Sequence, residues 1–121
     1  MRKERLSTIG VIVLVLLIAG GIIYFKVAGD VVKNIPSEEV AKHIGENSIL
    51  YVQAGCIHCK EQEDLFGENV KYLTIADCLE DTQACINAGI EATPTWIING
   101  QKYVGKKTIE ELKELTGYQE E

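Results

Sequence analysis

Cys56-Ile57-His58-Cys59 places two thiols three positions apart. At that spacing one sulfur can attack a disulfide and the other can release the mixed disulfide that results. The reacting species is the thiolate, so the attacking cysteine needs a lowered pKa. A cysteine at the start of a helix meets unpaired backbone N–H groups and the positive end of the helix dipole, which bring the ordinary value of about 8.5 down to about 3.5–7 in such motifs. Cys56 reads as that residue, and Cys59, one turn further, as the resolving thiol. His58, protonated or donating a hydrogen bond, would stabilise the Cys56 thiolate further, and a stabilised reduced form makes the disulfide a stronger oxidant. The alternatives are a static disulfide, a zinc knuckle or two buried thiols, and for His58 a solvated helical histidine.

Cys78 and Cys85 form a second pair with six residues between them. That exceeds the two-to-four spacing usual in zinc thiolate sets, and no metal site is expected. Copper transfer lacks thioether ligands, since the single methionine is Met1. A 78–85 disulfide would close a loop of eight residues, worth about 2.5 kcal/mol by loop-closure entropy. A second redox pair exchanging with Cys56 and Cys59 is the alternative reading, and four cysteines allow three connectivities.

The elements that must position these thiols are marked by local signals. Ser37 is an N-cap for a helix carrying Val40, Ala41 and Ile44 and ending near Gly45. Ser48 to Ala54 is apolar on both alternating faces, as in a strand of a sheet covered on both sides. Gly55 and the cysteines then open a polar helix with Leu65 and Phe66, closed by Gly67. Val70 to Ala76 reads as a second strand, and Glu80 to Ala88 as a helix ended by Gly89. Thr93-Pro94 opens a strand over 95–98, which turns at Asn99-Gly100 into Gln101 to Val104. Thr108 and Glu111 make a capping box for a last helix with Ile109, Leu112 and Leu115, ended by Gly117. Trp96 is assigned to the core or a groove lining, and His43, alone on a polar helix, to solvent. After the first helix the order is β-α-β-α-β-β-α, a parallel unit followed by a hairpin and a closing helix.

The 121 residues divide into two materials. Residues 1–29 hold 4 basic residues against 1 acidic, and residues 30–121 hold 8 against 17. The acidic part argues against nucleic acid, which requires clustered Lys and Arg. Leu6 to Phe25 is a run of 20 uncharged, mostly apolar residues, about 30 Å as a helix and enough to cross a hydrocarbon core. Arg2, Lys3 and Arg5 precede it, so the positive-inside rule puts the N-terminus in the cytoplasm and the rest outside. Tyr24 and Lys26 suit the membrane interface. A cleaved signal peptide, with small residues at Val27-Ala28-Gly29, is the rival reading. The expected organisation is a cytoplasmic N-terminus over 1–5, a single-pass anchor of the cytoplasmic membrane over 6–26, a linker over 27–36 and an extracytoplasmic domain over 37–121. A linker of that length keeps the domain near the bilayer, since Ala28 to Pro36 spans no more than about 30 Å extended.

Tyr51 to Tyr118 also carries a set of motifs: the Cys-x-His-Cys of 56–59, Leu65-Phe66-Gly67, the pair Cys78 and Cys85, Pro94-Thr95-Trp96, Ile98-Asn99-Gly100 and Thr116-Gly117-Tyr118. With these the stretch resembles the thioredoxin-like domain fused to vitamin K epoxide reductase homologues. It departs from that pattern at Ile57, where Pro is common, and in having one apolar segment, so that a reductase-type membrane oxidase would be a separate chain. The resemblance implies a thioredoxin-like α/β fold with a four-stranded mixed sheet and an extra N-terminal helix. It implies a cis peptide at Pro94 beside the cysteines, with Thr93 offering backbone groups to an extended substrate. It further implies a protein disulfide oxidoreductase without a cofactor of its own, which oxidises secreted protein thiols and is reoxidised by a quinone-linked oxidase. A reductase of similar build, serving isomerisation or cytochrome maturation, and a tethered metal-binding module are the alternatives.

Overall fold

The computed structural model describes residues 2–32 and 35–121. Met1 of the expected N-terminal segment and Lys33 and Asn34 of the expected linker lie outside the described residues. Two units result, one on either side of Asn34, each considered by itself.

The first unit is helix α1, Arg2–Val32. Within it Ser7–Phe25 is long and apolar enough to cross a membrane, and none of it is buried in the protein. The helix runs past Lys26 to Val32, into the stretch expected as linker. No proline interrupts Val27 to Val32, and Pro36 biases Ile35 away from helical backbone.

The second unit begins with α2, Glu38–Asn47, where the Ser37 hydroxyl accepts the Val40 N–H at 3.3 Å. It continues through β1 (Ser48–Val52), α3 (Ile57–Asp64), a 3-10 turn (Gly67–Tyr72), β2 (Ile75–Asp77), α4 (Thr82–Asn87), the hairpin β3 (Thr95–Ile98) and β4 (Gln101–Val104), and α5 (Ile109–Thr116). The sheet order is β2-β1-β3-β4. β1 and β2 are parallel, with Leu50 opposite Ile75, whereas β1 and β3, and β3 and β4, are antiparallel. A parallel pair joined across a helix, a terminal hairpin and a closing helix make the expected thioredoxin-like fold, with α2 as the extra N-terminal helix.

Three elements differ from expectation. The stretch from Val70 is not a strand: it completes the 3-10 turn, and pairing with β1 is confined to Ile75–Asp77. Val70 and Tyr72 pack on the core from that turn, which lies so close to α2 that a Cβ on Gly45 would stand 1.9 Å from the Tyr72 carbonyl oxygen. Gly67 opens this turn instead of closing α3, which stops at Asp64. The helix expected from Glu80 starts at Thr82, because the Asp81 carboxylate takes the Ala84 N–H and fixes the N-cap there.

The core lies on one sheet face, where Leu50, Val52, Trp96 and Ile98 meet Ile44 of α2, Phe66 and Leu112 of α5. Trp96 is 1% exposed and belongs to this core. His43 is half-buried instead of solvated: its Nε2 lies 2.9 Å from the Thr116 carbonyl oxygen and its ring sits edge-on to Tyr118. At Asn99-Gly100 both residues have positive φ (52° and 77°), the backbone that a two-residue hairpin turn requires, and Asn and Gly tolerate it best.

Candidate active site

Cys56 and Cys59 are joined in a disulfide at the N-terminus of α3. Cys56 is the N-cap, and its Sγ accepts the Cys59 N–H at 3.2 Å. The two sulfurs differ in access, since Cys56 is half-exposed and Cys59 is 3% exposed. Cys56 is thus the more accessible residue of the disulfide and Cys59 the buried one.

The sheet brings a second segment to this sulfur. The Thr93–Pro94 peptide is cis, and the Thr93 carbonyl oxygen lies 3.7 Å from Cys56 Sγ. Pro94 is buried, and its own carbonyl accepts the Gly105 N–H at 2.8 Å, which ties the loop to the end of β4. Thr93 is half-buried and its carbonyl faces the disulfide.

His58 is largely exposed and its Nδ1 lies 3.1 Å from Glu61 Oε2, a carboxylate that also pairs with Lys106. The Lys106 ammonium first, and His58 second, hold the Glu61 carboxyl below its ordinary 4.5. One turn into α3, the hydrogen bond from Lys60 to Asp64 raises the Lys60 ammonium above 10.5. Lys106, a cation held against α3 by Glu61, was missed by sequence reasoning. It follows a turn 45 residues beyond Glu61, and no local pattern announces the pairing.

Cys78 and Cys85 form the second disulfide. The Cys78 N–H donates to Val52 O at 2.8 Å, which sets it beside the end of β1, and Cys85 is buried on α4. A shallow groove runs from this disulfide past Gln53, Ile86 and Ile90 to Thr93. The structure thus gathers Cys56, Cys59, Thr93 and Pro94 at one end of the sheet, with His58 on the outer side of α3 and the second disulfide across the groove.

Gln62, fully buried on α3, also went unnoticed in the sequence. Cys59, Gln62 and Phe66 fall at i, i+3 and i+7, the spacing of one helix face, and that stripe was the available signal.

No protein-family model matches the chain. Thiol-disulfide oxidoreductase LTO1 of Arabidopsis thaliana is 40% identical over an alignment of 91 residues that covers 65% of this chain and 24% of that protein. The chain therefore spans about a quarter of that protein's length. Among solved structures, oxidised thioredoxin from Plasmodium falciparum aligns with a TM-score of 0.45 at 20% identity, covering 68% of this chain and 90% of that one. A protein disulfide oxidoreductase from Aeropyrum pernix aligns at 0.44 and 18% identity, covering 65% and 40%. Over the matched stretch this chain is a homologue of a thiol–disulfide oxidoreductase, with a thioredoxin-like fold and a Cys-x-x-Cys disulfide.

Proposed function

We propose that this chain is a membrane-tethered protein disulfide oxidoreductase whose domain works outside the cytoplasm and donates disulfides to secreted proteins. The observation that carries the chemistry is the half-exposed Cys56 sulfur at the N-terminus of α3, 3.7 Å from the carbonyl of Thr93 before a cis proline. A client thiolate attacks Cys56 Sγ, the Cys56–Cys59 bond breaks, and Cys59 departs as thiolate. A second client thiolate then attacks the client sulfur of the mixed disulfide and releases Cys56. Two electrons pass from client to enzyme, and the client gains one disulfide. Thr93 supplies main-chain groups that pair with the client segment as an added strand would. The name of the Arabidopsis relative supports the reaction class.

Each turnover leaves Cys56 and Cys59 reduced, so another disulfide must take the electrons. Ser7–Phe25 as an anchor, with Arg2, Lys3 and Arg5 on the cytoplasmic side, would bring the domain near a membrane oxidase. By the sequence resemblance this would be a quinone-linked enzyme of vitamin K epoxide reductase type. Replacing Cys59 by Ala removes the resolving thiol, and mixed disulfides through Cys56 should accumulate. Non-reducing gels are expected to show an adduct with an integral membrane protein beside adducts with secreted clients. Trapping of soluble reductants alone would favour a reductase, with a potential near about −270 mV instead of about −120 mV.

A further inference from the structure

Gln62 is fully buried, and its amide is engaged at both ends. Oε1 accepts the Trp96 indole N–H at 3.1 Å and the Lys107 backbone N–H at 2.6 Å, and Nε2 donates to the Lys107 carbonyl at 3.0 Å. These partners are not arbitrary parts of the fold. Trp96 stands just past Pro94 and Thr95 in β3, and Lys107 follows closely on Gly105, whose N–H holds the Pro94 carbonyl. Gln62 itself lies one turn beyond Cys59 on α3. One side chain therefore ties the cysteine helix to two segments beyond the cis-proline loop, β3 directly after it and the stretch after β4 that also holds the Pro94 carbonyl.

We propose that Gln62 is a positioning residue for disulfide exchange, setting the distance between the Cys56 sulfur and the Thr93 backbone on which a client segment would lie. The inference rests on the exchange reaction proposed above. During that reaction the Cys56–Cys59 bond opens, and the covalent loop that pins the first turn of α3 is lost. The Gln62 amide clamp remains, because none of its partners takes part in the chemistry. Apolar packing by Phe66 and Trp96 contributes more burial, but it is non-directional and permits small rotations of a helix. Three hydrogen bonds of 2.6–3.1 Å to two segments do not. A shift of about 1 Å in reacting groups can cost about a hundredfold in rate, so a clamp at this place acts on reactivity and not on stability alone.

The test compares the full-length chain in detergent with its Gln62→Met and Trp96→Phe variants in two reactions. One is exchange with a short cysteine peptide, which needs both Cys56 and Thr93. The other is alkylation of reduced Cys56 by iodoacetamide, which needs only the sulfur. Gln62→Met is expected to slow peptide exchange about tenfold, and Trp96→Phe, which removes one of the three hydrogen bonds, more than twofold. Alkylation of Cys56 should stay within about twofold of the parent in both. Peptide exchange within about twofold of the parent, or an equal loss in both reactions, would overturn the proposal. If Gln62→Met does not fold, Trp96→Phe decides by the same criterion. Failure of the parent chain to exchange with the peptide would sink the exchange reading itself, and the role of Gln62 with it.

Discussion

Cys59 donates its backbone N–H to the sulfur of Cys56 at 3.2 Å, so the Cys56 sulfur is itself the N-cap of the helix that carries both cysteines. An N-cap acceptor takes one of the orphan donors of the first turn, and it does so better as an anion than as a neutral thiol. The same bond that starts α3 therefore favours the thiolate of Cys56 over that of Cys59, which is buried behind it.

In the reduced protein near neutral pH, iodoacetamide is expected to modify Cys56 at least about tenfold faster than Cys59, since both thiolate fraction and access favour Cys56. Mass spectrometry of a time course measures this. Equal slow rates would mean two inert buried thiols.

Replacing His58 by Ser should lower the reduction potential. A hydrogen-bond donor or positive charge at this position would stabilise the Cys56 thiolate, and its removal would leave the reduced form less stable. One unit in the thiolate pKa corresponds to about 1.4 kcal/mol, or about 30 mV for the two-electron couple. Equilibration with glutathione resolves that difference, and an unchanged potential would leave His58 as a solvated partner of Glu61.

The pairing of Glu61 with Lys106 and His58 has a defined acid limit. Its carboxyl is held below the ordinary 4.5, so the folded state binds the proton less readily than the unfolded state. The contribution to stability is complete above about pH 4.5 and is lost as the pH falls through the lower folded value. The difference in melting temperature between the parent and Glu61→Gln should be constant above about pH 4.5 and shrink below it. A difference that grew on acidification would contradict the assignment.

The disulfide between Cys78 and Cys85, seven positions apart, is expected to stabilise the fold without carrying electrons. Replacing both cysteines by Ala should cost about 2.5 kcal/mol in chemical denaturation. Exchange through Cys56 should stay within about twofold of the parent, because the Cys56–Cys59 pair is untouched. Loss of exchange in a folded double variant would instead identify a relay between the two pairs.

Local chemistry made much of this protein legible from its residues alone. The Ser37 N-cap, the Thr108–Glu111 capping box, the Asn99-Gly100 turn and the placement of Cys56 at a helix start each depend on residues no more than a few positions apart, and all four stand in the structure. The apolar run of α1 was equally plain, because composition and length alone make a candidate membrane span. The relationships that assemble the site have no such local signature, and the one between the cysteines and Thr93-Pro94 was expected through the family resemblance and not through any pattern of neighbouring residues. Cys56 meets Thr93 across 37 residues, Gln62 meets Trp96 across 34 and Lys107 across 45, and His43 meets Thr116 across 73. A glutamine on a polar helix reads as solvated until another segment supplies the donors and acceptor that bury it. Val70 and Tyr72 read as strand until α2, approaching at Gly45, packs against the turn they form. Burial and long-range hydrogen bonding are properties of pairs of segments, and which segments pair was decided only when the sheet order β2-β1-β3-β4 set them side by side.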